Sequence, residues 1–266
     1  MNAPLTHADT WRVAALTMMN PTELAALLSG DPYEAAPWVE AAAACGIAEA
    51  QVRLGRMLLE GLGVAKDERA AFACFFCAAA SGDPEAKNML GRCYENGWGT
   101  ARDMTRAAEN FRGAAEAGVD WAQYNLGHLL LDGTGVGRNP DEAFLWYMRA
   151  ARQGHVRAMN LVARCYEQGW GVARDVTAAR VWYRKSAEGG YFRGAYNYAT
   201  ILAAEGCVTA AAMWFERAVT DAPPATRAHM LCKIESLQKS QPWRVFSPSN
   251  MRLILIDKPS DTSDEP

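Results

Sequence analysis

Neither sign of charge dominates this sequence: 27 basic residues stand against 30 acidic ones. Nothing in that balance draws the chain toward nucleic acid or an anionic membrane. Long apolar runs are missing too, since none approaches the roughly 20 residues that a bilayer-spanning helix needs. The seven cysteines are odd in number and irregularly spaced, which suits a reduced cytoplasm better than a disulfide framework. The opening MNAPLTHADTW lacks a basic stretch followed by an apolar core, so no secretory signal is expected and the location expected is cytoplasmic. The sequence also lacks GxSxG, a Walker-type phosphate loop and HExxH, the short patterns that would announce hydrolase, nucleotide or zinc-protease chemistry.

What is present is a repeat. GRCYENGWG at 91–99 returns as ARCYEQGWG at 163–171, 72 residues later, and LGRMLLEGLG (54–63) and LGHLLLDGTG (126–135) reduce the period to 36. A period of this size marks stacked copies of one supersecondary unit. Four full units run 47–82, 83–118, 119–154 and 155–190.

In each unit a first helix carries Ala (50, 86, 122, 158), then Leu or Val (54, 90, 126, 162), a small residue (Gly55, Gly91, Gly127, Ala163) and a large apolar one (Leu58, Tyr94, Leu130, Tyr166). These share one helical face, and the small positions admit a close neighbour. A GxG pair ends the helix (61/63, 97/99, 133/135, 169/171), as residues tolerant of the left-handed conformation do. Asp67, Asp103, Asn139 and Asp175 then stand where a second helix needs its cap. That helix carries Ala (71, 107, 143, 179), an aromatic (Phe75, Phe111, Tyr147, Tyr183) and small residues, and Gly82, Gly118, Gly154 and Gly190 close the units.

The ends depart from this pattern. Residues 1–30 read as N-terminal capping helices, with Asn20-Pro21-Thr22-Glu23 as a capping box and Leu24, Leu27 and Leu28 on one face. Residues 31–46 are half a unit, and Pro37 there predicts a kink or a late helix start. Residues 191–222 form a short unit that lacks the GxG turn, and a capping helix is expected over 223–238. The stretch 239–266 breaks the pattern, with a β-prone MRLILID and a polar, acidic end that read as a partly disordered tail. Leu253–Ile256 could instead dock on the last helices or in a groove as a self-ligand.

Small–Leu–Gly–aromatic, GxG, Asp, Ala, aromatic, Ala-Ala and Gly at a 36-residue period resembles the Sel-one-like repeat (SLR) family, the long-turn relative of the tetratricopeptide repeat. The resemblance covers roughly residues 31–222. The departures are the short fifth unit, Ala163 in place of Gly, and Cys74 and Asn110 where other units have Trp. It implies an all-α fold, a right-handed superhelical α/α solenoid of about five hairpins with N- and C-terminal helices. It also implies a non-enzymatic adaptor or scaffold that holds a protein or peptide in its concave face, with no cofactor and no metal.

By the same analogy the first helices line that face. One column of outward positions holds Val52, Asn88, Tyr124, Asn160 and Tyr196, and a second holds Arg56, Arg92, His128, Arg164 and Thr200. A third holds Glu49, Glu85, Trp121, Arg157 and Arg193. Spaced three or four apart, these share a face. Arginine forks suit carboxylates and asparagine amides can hold a peptide backbone. The candidate contacts are therefore Arg56, Asn88, Arg92, Trp121, Tyr124, His128, Arg157, Asn160, Arg164, Arg193 and Tyr196. The partner expected is a protein or peptide, acidic or carboxylate-bearing, and neither nucleic acid nor membrane. The competing reading is ordinary pairing along each helix, Arg56 with Glu60, Arg92 with Glu95 and Arg164 with Glu167.

Other groups carry less. Cys74 and Cys77 form a CxxC with no second pair and no nearby histidine, short of the four ligands a structural zinc wants. Cys93 and Cys165 share an apolar column and read as core thiols. Trp98 and Trp170, between the turn glycines, either pack across the unit boundary or form an exposed ridge. Ser236-Leu-Gln-Lys239 spells SxxK without an SDN or KTG. That leaves a β-lactam-type hydrolase as the alternative from another class, and an adaptor gated by its own tail as a third.

Overall fold

A computed structural model of the chain describes residues 7–240, all of whose regular structure is helical. The expected tail, including Leu253–Ile256, lies almost wholly outside the described residues. The chain divides into two compact units, with the boundary between Arg138 and Asn139.

The first unit opens with α1 (His7–Met18), α2 (Pro21–Ser29) and α3 (Pro32–Ala44). Asn20 caps α2: its side chain accepts from the Glu23 amide at 2.9 Å, and the Glu23 carboxylate accepts from the Asn20 amide at 3.1 Å. That is the capping box expected from sequence. The late start anticipated from Pro37 does not occur, because Asp31 accepts from the Tyr33 amide at 2.9 Å and Pro32 begins α3, leaving Pro37 inside it. Leu16, Leu28, Val39, Ala42, Ala50 and Met57 form a core under these helices, and Trp11 meets Trp38 edge-on at 5.2 Å. Hairpins α4 (Ala48–Glu60) with α5 (Glu68–Ala80) and α6 (Pro84–Asn96) with α7 (Met104–Glu116) follow, and α8 (Asp120–Asp132) ends the unit.

The second unit begins with α9 (Pro140–Arg152). It continues through the hairpins α10 (Val156–Gln168) with α11 (Val176–Glu188) and α12 (Phe192–Ala204) with α13 (Val208–Asp221), then α14 (Pro224–Ser240). In the first unit α5 packs against α4 and α6, and α7 against α6 and α8. In the second α9 packs against α10, α11 against α10 and α12, and α13 against α12 and α14. First helices also touch their successors, α4 with α6 and α10 with α12. Each unit is thus a stretch of all-α solenoid built from helical hairpins.

One aromatic per hairpin anchors this packing. Phe75, Phe111, Tyr147, Tyr183 and Phe215 are completely or almost completely buried. A Cβ on Gly55 would lie 2.5 Å from the Phe75 ring, and one on Gly91 2.7 Å from Phe111. The small column is therefore the socket for the aromatic of the partner helix. In the fourth repeat the socket holds Ala163 beside Tyr183, whose hydroxyl donates to the Glu167 carboxylate at 2.8 Å. Burial first, and then that hydrogen bond, push the Tyr183 hydroxyl well above its ordinary range.

The GxG turns set the stacking of hairpins. The first glycine closes each first helix in the left-handed conformation, and its N–H reaches Met57, Cys93, Leu129 or Cys165 at 2.8 Å. The second glycine touches the preceding second helix. A Cβ on Gly99 would lie 2.1 Å from the Glu68 carbonyl oxygen, and one on Gly171 would lie 2.1 Å from that of Pro140. Gly63 sits against Pro32 and Gly135 against Met104 in the same way, so α3 serves as a second helix for the first turn. The cap residues Asp67, Asp103, Asn139 and Asp175 each accept a backbone N–H in the first turn of the helix that follows.

Two glycines separate conformational strain from contact. Gly99 (φ +66) is hemmed in by Glu68 and Arg69, whereas Gly82 (φ +94) has nothing within 4 Å of an added Cβ. Gly82→Ala should cost about 1–2 kcal/mol from left-handed backbone alone. Gly99→Ala should cost about 3 kcal/mol or more, because overpacking adds to it. Thermal unfolding followed by circular dichroism checks this, and equal midpoints for the two variants would mean that the turn does not bear on the preceding helix.

Candidate functional site

The three columns singled out from sequence are the second, fifth and ninth residues of each first helix, and they differ in exposure. The ninth position is open on three of these helices. Arg56 on α4, Arg92 on α6 and Arg164 on α10 are exposed. Arg56 Nη2 reaches Glu85 Oε2 on α6 at 3.2 Å, with both side chains about half exposed, an ion pair of modest strength. The Arg92 guanidinium lies 5.1 Å over the Trp98 ring, and Arg164 lies 5.1 Å over Trp170. The turn tryptophans are half-buried and act as platforms for these two arginines, a cation–π arrangement that holds the guanidinium while leaving its edge donors available.

The second position is also open. On α8, exposed Trp121 meets Tyr124 edge-on at 6.0 Å, and Tyr124 meets His128 at 4.6 Å. These rings form one aromatic run along the first unit's last helix. In the second unit, exposed Arg157 lies 6.0 Å from the Tyr191 ring and exposed Arg193 lies 5.6 Å from Phe192. Glu167, offered above as a partner for Arg164, accepts from Tyr183.

The fifth position corrects the sequence reading. Asn88 and Asn160 are buried, as is Val52 in the same column. Asn88 Oδ1 accepts from Asn125 Nδ2 at 3.3 Å, and Asn160 Oδ1 accepts from Asn197 Nδ2 at 2.8 Å. Each pair bridges successive first helices inside one unit, α6 to α8 and α10 to α12. The physical reason is that this position points into the seam between neighbouring first helices. A buried amide there must find a partner, so these side chains tie helices together rather than face a ligand. Tyr124 and Tyr196 occupy the same column but are only half-buried, because a tyrosine ring is long enough to leave the seam. Tyr196 also meets Phe215 edge-on at 5.5 Å, and burial pushes its hydroxyl pKa up. The signal that could have revealed the bridges was available, since Asn125 and Asn197 repeat at the same 72-residue offset as Asn88 and Asn160.

Cys93 and Cys165 are core thiols, and Cys74 is half-buried. Burial pushes Cys93 and Cys165 up to about 12, and Cys74 to about 11, so they stay protonated near neutrality. Among the described residues no cluster of three or more His, Cys, Asp or Glu could hold a metal ion. Likewise no described helix is long and apolar enough to cross a membrane. Ser236, of the SxxK, is exposed on α14, and the Lys239 side chain lies outside the described residues. His155 has a structural use: its Nδ1 accepts from the Ala158 amide at 3.0 Å and caps α10.

Comparison with known proteins places this geometry. A family model described as Sel1 repeat matches residues 48–83, 84–119, 122–155 and 156–191. A Sel1 repeat protein from Oxalobacter formigenes is 25% identical with a TM-score of 0.74, over 95% of this chain and 99% of that one. A protective antigen of uropathogenic Escherichia coli strains, displaying an SLR fold, is 28% identical with a TM-score of 0.68, over 84% of this chain. The match spans 48% of that antigen, about half its length. No curated protein matches the sequence.

The seam pair is testable by a mutant cycle. Asn160→Ala strands the Asn197 amide and should cost about 1–3 kcal/mol of stability, whereas Asn160→Leu with Asn197→Leu removes both polar groups and should cost less than the single change. Urea unfolding measures both. Thiol reactivity offers a second check. In the native chain a thiol reagent should modify the exposed Cys45, Cys77, Cys207 and Cys232 quickly, and Cys93 and Cys165 only after denaturation.

Proposed function

Because the chain belongs to the Sel1 repeat family, whose fold generally mediates protein–protein interaction, we propose that it is a non-enzymatic adaptor whose first helices hold a carboxylate-bearing peptide or protein segment. The observation that carries this reading is the pair of guanidiniums set over the indoles of their own turns, Arg92 on Trp98 and Arg164 on Trp170. Arginine rotamers are costly to immobilise. A ring beneath the guanidinium meets part of that cost in advance and leaves the donor edge for a bidentate carboxylate.

Each unit presents its own version of this surface. The first offers Arg56, Arg92 and the Trp121–Tyr124–His128 run, and the second offers Arg157, Arg164, Arg193 and Tyr196. Aromatic side chains supply contact area and arginines supply charge, the two residue types that dominate protein interfaces. Asn88 and Asn160 play no part, being spent on the seams. The non-enzymatic reading is supported by the chemistry of the strip, where the thiols next to the arginines, Cys93 and Cys165, are buried and protonated.

An array of immobilised 12-residue peptides of graded acidity provides the test. The protein should select acidic members, and Arg92→Ala with Arg164→Ala should weaken that selection about tenfold or more, the loss expected for removing charge-assisted bonds. The melting temperature should fall by only a few degrees, because all that is lost inside the chain is two exposed cation–π contacts of about 0.5–1 kcal/mol each. Raising salt should weaken binding in the same direction. Selected peptides that bind the double variant as tightly as the parent would remove the strip from consideration.

A further inference from the structure

The second helices of the second unit carry a feature that the adaptor reading does not use. Their sixth residues, Leu145 on α9, Val181 on α11 and Met213 on α13, are 58%, 39% and 67% exposed. Their seventh residues are all tryptophan and their tenth all cationic. Arg149 lies 4.3 Å over Trp146, Lys185 lies 4.3 Å over Trp182, and Arg217 lies 5.2 Å over Trp214. The first unit has nothing of the kind, since α5 places Ala73, Cys74 and Cys77 at these positions and α7 places Glu109, Asn110 and Gly113. An open apolar residue beside a tryptophan under a cation, kept on three successive helices of one unit, is an apolar row edged with positive charge. Exposed apolar surface in such a row marks an interaction site. Part of its polar rim is already occupied: Trp146 Nε1 donates to Glu142 at 3.1 Å, and Arg217 pairs with Asp221 at 3.5 Å.

We infer that this row is the docking site of the chain's own residues 251–265, which lie outside the described residues. The segment carries the two kinds of group that complement the row, apolar side chains and carboxylates. Met251–Ile256 is MRLILI, apolar but for Arg252, followed by Asp257, Asp261, Asp264 and Glu265 with Lys258 among them, so a mostly apolar run leads into a net acidic stretch. Length matches too. Hairpins stacked at about 10 Å place the three apolar residues over about 20 Å, which six extended residues cover at about 3.3 Å each. The segment is tethered to the correct unit, because it follows α14, which packs on α13. A tether of this kind supplies an effective concentration in the millimolar range. A second copy of the chain is a poorer occupant, since a self-complementary contact through this row would oppose Arg149, Lys185 and Arg217 to their own equivalents.

Hydroxyl-radical footprinting of the full-length chain tests the assignment, with Met213 as reporter and Met18, 87% exposed in the other unit, as internal reference. Two full-length variants alter only the tail: Leu253→Asp with Leu255→Asp, and Asp257→Lys with Asp261→Lys, Asp264→Lys and Glu265→Lys. Met213 should oxidise about fivefold more slowly in the parent than in either variant, the protection that a weak contact gains from millimolar tethering. Met18 should be unaffected. Equal Met213 rates in the parent and both variants would overturn the inference. So would protection that rises with protein concentration, which would assign the row to a second copy. The readout uses no first-helix ligand, so its failure leaves the peptide-binding reading standing, and the reverse also holds.

Discussion

The contact on which the array rests is the approach of a turn to the helix before it. The second glycine of each GxG sits so close to the first backbone carbonyls of the preceding second helix that a Cβ there would overlap them, at 2.1 Å for Gly99, Gly135 and Gly171. Backbone meets backbone, so the distance between hairpins is set by main-chain geometry rather than by adaptable side chains. A fixed distance applied at a fixed period keeps the first helices in register. The same contact explains why α3, from half a repeat, is needed: without Pro32 and Tyr33 the turn at Gly63 would have no floor.

Inside that frame the aromatic socket and the seam have different tasks. Phe75 over Gly55 and Phe111 over Gly91 join the two helices of one hairpin through area and fit. The Asn88–Asn125 and Asn160–Asn197 bridges join one first helix to the next through direction, because an amide pair is satisfied in only a few arrangements. Ala163 and Tyr183 show how far the socket can vary. A larger floor and a more polar ring are accommodated once Glu167 accepts the Tyr183 hydroxyl.

The proposed binding surface borrows from both. Trp98 and Trp170 are held because the glycines on either side of them are held, and Arg92 and Arg164 lie over those indoles. A turn that spaces hairpins thereby also orients the two arginines of the proposed binding strip. The row on the second helices α9, α11 and α13 is a separate feature, with its own cations and its own tryptophans.

Much of this was legible in the residues themselves. The 36-residue period, the helix starts at Asn20, Asp67, Asp103, Asn139 and Asp175, and the helix-closing glycines are local: each depends on bonds within a few residues, so local sequence determines them. The family resemblance followed from the same positions. Only the tertiary structure decided which polar residues stay in water. Asn88 and Arg92 are one helical turn apart on α6 and look alike as candidates for a ligand, yet one is buried and the other exposed. The difference is the separation of α6 from α8, a distance between elements far apart in sequence that helical periodicity does not encode. The same holds for the glycine of the turn, whose left-handed φ is local but whose missing side chain is demanded by a carbonyl some thirty residues earlier.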